Sequence, residues 1–422
     1  MRLSTSMMYA NGLKGILSQE SDMNRLVEQI GTGKKFLSPA DDPLSASLSI
    51  NVAQTQSMNS TYAMNRGTAS TNLSQENNVL ESITTALQDI RTRIVQAGNG
   101  TFSDSDRQAL STALKSAREA LLGLANSTDG NGQYLFSGYQ GNTIPYAVNP
   151  ANGKIEYNGD TGQRVVQVDQ SRQMSTSDIG SDIFNRANPG STGYVASAAA
   201  SNQGTAQFGT VSVTPGSANI GKNFSVEFEA DPVSGAIGYR ITTSDPDADP
   251  PVAPVTVPSP PDPATGYQAG EAIDFGGVSV TITGAPKAGD RIDVESFQQS
   301  GTDVDLFSTL DNLIETLDSP IAGDEVALAR LNNVLATANK KLSTNYDNVL
   351  TVAASVGARM NELEALDATG TQKGLSYSKS LSDLEDLDYY SGASQLALRQ
   401  VALQAASAAF MTIQGSSLFS RK

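Results

Sequence analysis

The chain has 422 residues, 44 acidic against 28 basic side chains, and no Cys, His or Trp. The acidic balance leaves no basic field for phosphates and argues against a nucleic-acid partner. The missing thiol and imidazole exclude Cys nucleophiles, Ser-His-Asp triads, disulfides and the usual zinc sites.

Residues 2–30 read as an amphipathic helix. Leu3, Met7, Leu13, Ile16, Leu17, Met23, Leu26, Val27 and Ile30 supply its apolar stripe, Gly12 and Gly15 interrupt it, and Gly31 and Gly33 end it. The stretch lacks the continuous apolar segment of a cleaved secretory signal. No run in the chain approaches the roughly 20 apolar residues of a membrane span, so no membrane insertion is expected.

Asp42 before Pro43 is a helix start: a side-chain acceptor at the cap, then a preset φ. The helix runs to about Ala97, with Leu73, Leu80, Ile83, Leu87, Ile90 and Ile94 on one stripe and Glu76 as its polar intruder. Ser103 with Asp106 can box the start of the next helix, in which Leu110, Leu114, Ala117, Leu121 and Leu124 repeat the spacing. Residues 144–148 and 154–157 flank the turn-rich Asn149–Gly153, and 164–168 read as a third strand of one small β-hairpin element.

Residues 185–300 form a separate β-rich module. Period-two alternation marks strands at Phe224–Phe228, Val278–Ile282 and Ile292–Val294. Half the net charge of −16 sits in residues 191–300, where 4 basic side chains face 12 acidic ones. Residues 246–263 hold eight of the 17 prolines and are expected to be a loop or polyproline excursion.

Helix returns near Asp303. A coiled-coil-type seam follows at Leu328, Leu331, Leu335, Ala338, Leu342, Asn345, Val349, Val352, Val356, Arg359, Leu363 and Leu366, with Asn345 and Arg359 its two polar positions. Gly370 and Gly374 are expected to interrupt it. The last stretch, 381–422, is a helix of wide apolar coverage. Leu396, Leu403 and Phe410 recur every seven residues, Leu398, Val401, Ala405 and Ala408 form an adjacent stripe, and Arg399 is the one charge between Tyr389 and Ser420. Such a helix needs a partner, and residues 2–30 are the nearest apolar element left to cover it.

Three short motifs carry little chemistry. Gly31-Thr32-Gly33-Lys34 resembles part of a phosphate loop, but its first Gly would be Glu28, and a helix-ending turn is the better reading. Ser376-Tyr377-Ser378-Lys379 matches S-x-x-K without companions and reads as a linker or helix start. Asp245, Asp247 and Asp249 alternate as in a calcium loop, but Pro250 and Thr256 stand where Gly and Glu belong, so a solvated acidic loop is preferred.

The two ends resemble a known family. Met1-Arg2-Leu3-Ser4-Thr5-Ser6-Met7-Met8-Tyr9, Gln29–Lys35 followed by Leu37–Pro43, Tyr134-Leu135-Phe136-Ser137-Gly138, Tyr157-Asn158-Gly159-Asp160, and Ile413-Gln414-Gly415 with Ser417-Leu418-Phe419 are similar to the hook-associated, hook–filament junction proteins of the bacterial flagellum. The resemblance covers residues 1–185 and 303–420. It implies a flagellin-like fold, mainly α with β: an elongated rod with coiled-coil termini, a helical bundle shaft and an inserted β-rich outer domain. The domains would be 1–43 with 381–422, 44–185 with 303–380, and 186–302.

It further implies a secreted, non-enzymatic structural protein of the flagellum, without cofactor. Such a protein is exported by the type III route without a cleaved signal, served by an export chaperone, and located at the hook–filament junction. Its partners would be a ring of its own copies, another hook-associated protein, and flagellin. The assembly interface would hold Leu3, Met7, Leu17, Leu26, Ile30, Leu396, Leu398, Val401, Leu403, Phe410, Ile413, Leu418 and Phe419. Two other readings stay open: a filament-forming flagellin, or a ligand-binding or enzymatic role for residues 186–302.

Overall fold

The computed structural model describes residues 5–248, 252–257, 266–299 and 301–419. Its long helices are α1 (Thr5–Thr32), α2 (Pro43–Ala97), α3 (Asp104–Ala125), α5 (Leu306–Asp318), α6 (Glu325–Glu385) and α7 (Tyr389–Phe419), with a short α4 (Gly180–Phe184). The fold is mainly α with a β-rich insertion, as expected. The chain forms two compact units. One comprises Met1–Arg66, Val168–Arg172 and Glu364–Lys422, the other Gly67–Gln167 and Gln173–Leu363.

In the first unit the local signals work as the sequence suggests. Asp42 Oδ1 accepts from Ser45 N at 3.0 Å, and α2 starts at Pro43. Gly33, at φ 71°, ends α1 while its N–H donates to Gln29 O at 2.8 Å. The phosphate-loop fragment is thus a helix terminus.

Gly370 and Gly374 do not interrupt α6, which continues to Glu385. The Ser376–Lys379 motif accordingly lies inside this helix rather than at a linker or start, and Ser378 Oγ accepts from Gln56 Nε2. Gly370 is instead a point of close approach. The Arg66 guanidinium lies against it, nearly buried, donating to Val168 O at 3.0 Å and to Asp367 Oδ1 at 3.1 Å.

These two glycines should respond oppositely to alanine. Each substitution gains roughly 1 kcal/mol of helix propensity. At Gly370 the new Cβ would collide with a guanidinium pinned from two sides, an overpacking cost of roughly 1–3 kcal/mol. At Gly374 the nearest atom, Asn59 Nδ2, is 3.5 Å away. Thermal melts should show Gly370→Ala lowering Tm and Gly374→Ala raising it; equal shifts would contradict the packing role of Arg66.

In the second unit, Leu73, Leu80, Ile83, Leu87, Ile90 and Ile94 of α2 are buried. On α6 the seam residues Leu331, Leu335, Ala338, Leu342, Val349, Val356 and Leu363 are buried too, and Leu328, at the start, is exposed. Ser103 and Asp106 form the capping box of α3. Asp305 caps α5, accepting from the Ser308 amide, and α5 packs against α3.

The polar positions of both stripes are answered. Asn345 Nδ2 donates to Val304 O at 3.0 Å. Glu76 Oε1 accepts from Asp178 N at 3.0 Å, and Arg359 pairs with the Asp178 carboxylate while reaching Ser175 O. Burial, then the charge of Asp178, push the Glu76 carboxyl up to about 8.

The strands differ from expectation in three places. β1 (Tyr146–Val148) and β2 (Ile155–Tyr157) pair antiparallel as read, but β3 (Val165–Asp169) does not join them. It forms its own hairpin with β4 (Arg172–Ser175). The module 186–302 also holds more strands than the alternation revealed: β5 (Tyr194–Ala198), β6 (Gln207–Phe208), β7 (Ser212–Val213), β9 (Ile237–Asp245) and β11 (Ala272–Asp274) besides β8 (Asn223–Ala230), β12 (Val278–Thr283) and β13 (Arg291–Ser296).

Within the proline-rich stretch, β10 (Val252–Val257) pairs with β9. Proline is tolerated there because β10 is an edge strand and its register shifts between Val252 and Val255, the bulge that holds Pro254. Asp245 ends β9 and accepts from Gln299 Nε2 at 2.8 Å; Asp249 lies outside the described residues.

One antiparallel sheet has the order β10-β9-β8-β13-β5, and a second has β11-β12-β6 with β7 also on β12. Phe224, Val226, Phe228, Ile292 and Val294 from the first cluster with Val278, Val280 and Ile282 from the second and with Phe275 of the turn between β11 and β12. This is a small sandwich with its own core.

Candidate functional site

The two terminal helices pair with each other. α1 and α7 run antiparallel: Gly12 meets Phe410, Asp22 meets Arg399, and Ile30 lies beside Gly392. On α1 the less exposed positions include Gly12, Ile16, Gln19, Met23, Leu26 and Ile30, with Asp22 and Gln29 beside them. On α7 they include Gly392, Leu396, Arg399, Leu403, Ala406 and Phe410. Both series alternate four and three, the spacing of a two-helix seam.

Gly12 is part of this seam rather than an interruption. A Cβ there would sit 2.9 Å from Phe410 Cδ2, so only glycine lets the ring lie on the α1 backbone. Tyr9 flanks the ring at 4.9 Å between centroids. Arg399 Nη1 reaches Asp22 Oδ2 at 2.7 Å, with both side chains more than a third exposed. Such a pair is worth roughly 0–1 kcal/mol, so it sets register more than stability.

A second clamp closes the other end. Lys35 N donates to Glu385 O at 2.6 Å, Leu387 N donates to Gly33 O at 2.9 Å, and Lys34 Nζ reaches Glu385 at 2.8 Å and Asp386 at 3.2 Å. The hydrogen bonds to Glu385 and then Asp386 hold the Lys34 ammonium above its usual pKa. This contact is therefore complete at neutral pH; it is lost as pH rises through that raised value, and also as pH falls far enough to protonate Asp386, whose carboxyl Ser382 and then Lys34 hold below its usual pKa.

The candidate interface residues divide into two sets. Leu26, Ile30, Leu396, Leu403 and Phe410 turn into the seam between α1 and α7. Met7 (55% exposed), Leu17 (55%), Leu398 (70%) and Val401 (64%) turn away from it. Leu3 lies outside the described residues, as do the side chains of Ile413, Leu418 and Phe419, whose backbone belongs to α7.

The open side is larger than the spacing alone suggested. Leu13, Val27 and Met411 are also exposed, and Ala397, Ala402, Ala405, Ala408 and Ala409 line α7 between the larger groups. Exposed apolar surface of this continuity marks an interaction face. Among the described residues no acidic cluster is arranged to hold a metal ion, and no helix is long and apolar enough to cross a membrane.

Residues 3–141 match the family of bacterial flagellin N-terminal helical regions. Over 419 residues the chain is 30% identical to the flagellar hook-associated protein 3 of Escherichia coli K12, covering 99% of both chains. The crystal structure of flagellar hook-associated protein-3 from Legionella pneumophila superposes with a TM-score of 0.67 at 27% identity, over 79% of this chain and 98% of that one. The flagellar junction protein FlgL from Legionella pneumophila gives 0.61 at 28% identity, over 75% and 99%. The filament-forming flagellin reading is not better supported than the junction reading. The paired terminal helices, the long bundle helices and this full-length similarity agree: the chain belongs to the flagellar hook-associated protein 3 family and is a structural component of the flagellar junction.

Proposed function

We propose that α1 and α7 are the assembly domain, and that the side of the pair carrying Met7, Leu17, Leu398 and Val401 packs against neighbouring copies in a ring. The observation that carries this reading is that α7 is apolar on opposite sides. One side is covered by α1; the other exposes Leu398, Val401 and Met411 at 64–70%. Leu3, Ile413, Leu418 and Phe419 are assigned to this interface from the sequence alone. Residues 1–43 with 381–422 then act as the assembly domain, 44–185 with 303–380 as the helical support, and 186–302 as the outer domain.

In this reading another hook-associated protein and flagellin flank the ring. Family membership supports the finer assignments: the hook–filament boundary as the place, export through the flagellar type III apparatus without cleavage, and an export chaperone that covers the apolar helices beforehand. An exposed two-helix pair buries little, so its order is coupled to association. In the dilute monomer, amides of α1 and α7 should exchange fast while those of the buried α2 and α6 stripes stay protected. On assembly the terminal helices should become protected. Full protection of α1 and α7 in the dilute monomer would sink the coupling.

A further inference from the structure

The second unit contains a cleft of about 660 Å³ between α2, α6, β5 and the β6–β7 connection. Tyr194, Phe208, Val211 and Val213 supply its apolar wall, while Arg91 of α2 and Lys340 of α6 supply its charge. Among the described residues no carboxylate lines it, although the chain carries 44. Among the described residues neither cation makes an ion pair: Arg91 rests over the Tyr346 ring at 5.7 Å and Lys340 over the Phe297 ring at 5.6 Å. Arg91 Nε is buried without an acceptor.

A second cleft, of about 340 Å³, makes the contrast. Lys154, Arg330 and Lys341 there stand among Asp303, Asp311 and Glu315, and Lys341 already pairs with Asp303 at 3.3 Å. That cleft neutralises itself; the larger one does not.

We propose that the larger cleft is a binding site for a small organic anion, a carboxylate carried on a flat apolar body. No protein carboxylate among the described residues pairs with the Arg91 guanidinium, and a ligand carboxylate in the cleft would supply that charge-assisted bond. Lys340 supplies a second charge at the exposed side, and the aromatic and branched wall takes the apolar body. The volume falls in the range of roughly 300–1,000 Å³ usual for such ligands. The net charge of −16 disfavours an extended polyanion, which would feel the whole field, while a single carboxylate feels chiefly its two local cations.

The test uses the full chain labelled with ¹⁵N-glycine and titrated with 2-naphthoate, with 2-naphthamide as its uncharged isostere. The amides of Gly193 and Gly209, which border the cleft, should shift saturably with naphthoate, and naphthamide should bind about tenfold more weakly. Arg91→Met and Lys340→Met should each weaken naphthoate about tenfold without altering naphthamide. Lys340 is exposed, so its variant keeps the test valid should Arg91→Met disturb the fold. No saturable shift at the two glycines, or naphthoate binding indifferent to the substitutions, would overturn the proposal. The readout is independent of α1 and α7, so it stands apart from the assembly reading.

Discussion

A Leu398→Glu/Val401→Glu chain should fold normally and fail to enter the flagellum. Both side chains point away from the α1–α7 seam, so the helix pair loses no packing, and glutamate is as good a helix former as leucine. In an assembled ring the same positions would be desolvated. Each lost apolar contact removes roughly 1.5–3 kcal/mol, and each buried unpaired carboxylate costs several kcal/mol more. Even a fraction of that, repeated at each subunit contact, weakens association by more than about a hundredfold. The checks are helical circular dichroism and Tm of the purified monomer, electron microscopy of cells expressing the variant, and swimming in soft agar. Normal flagella and motility would refute the assignment of this surface. Phe410→Ala is the contrasting case, because it empties the seam beneath Gly12 and should lower the Tm of the pair itself.

Glu76→Gln should stabilise the second unit above neutral pH and flatten its pH dependence. Glu76 is fully buried, and its folded pKa stands at about 8 against an ordinary 4.5. Between those values the folded chain holds a proton that the unfolded chain has released. Stability therefore falls as pH rises through the window, by up to about 1.4 kcal/mol per unit. Glutamine retains the oxygen that accepts from the Asp178 amide and leaves no charge to bury. Urea melts at pH 5 and pH 8 should show little difference between variant and parent at the lower pH. At the higher one the variant should gain about 2 kcal/mol or more. An equal response at both pH values would mean that Glu76 is not held neutral by its burial.

Much of the helical framework is legible from local rules. Asp42-Pro43, Ser103 with Asp106, and the three-four stripes of α2 and α6 act within a few residues of themselves, so one sequence suffices to place them. The larger β8, β12 and β13 strands announce themselves by alternation. The rest of the sandwich does not. β5 is Tyr-Val-Ala-Ser-Ala, β9 is half-buried along nearly its whole length, and β10 carries a proline that an edge bulge absorbs. Their pairing depends on neighbours far away in the chain.

The polar intruders show the same division. Glu76 and Arg359 stand out in their stripes, yet nothing local says that both converge on Asp178, which sits about a hundred residues from one and nearly two hundred from the other. The glycines divide in the same way. Gly370 and Gly12 look like helix breakers until the Arg66 guanidinium and the Phe410 ring are seen lying against them.

The sequence by itself determined that the terminal stretches are helices, that the last is apolar nearly all round, and that the end motifs belong to a flagellar family. Only the tertiary structure decided which stripe of α7 meets α1 and which stays open. Periodicity identifies a face only when the opposite face is polar, and on α7 both are apolar. The choice falls to contacts that no spacing encodes: a glycine at residue 12 that admits Phe410, and Asp22 opposite the single charge, Arg399, that fixes the register.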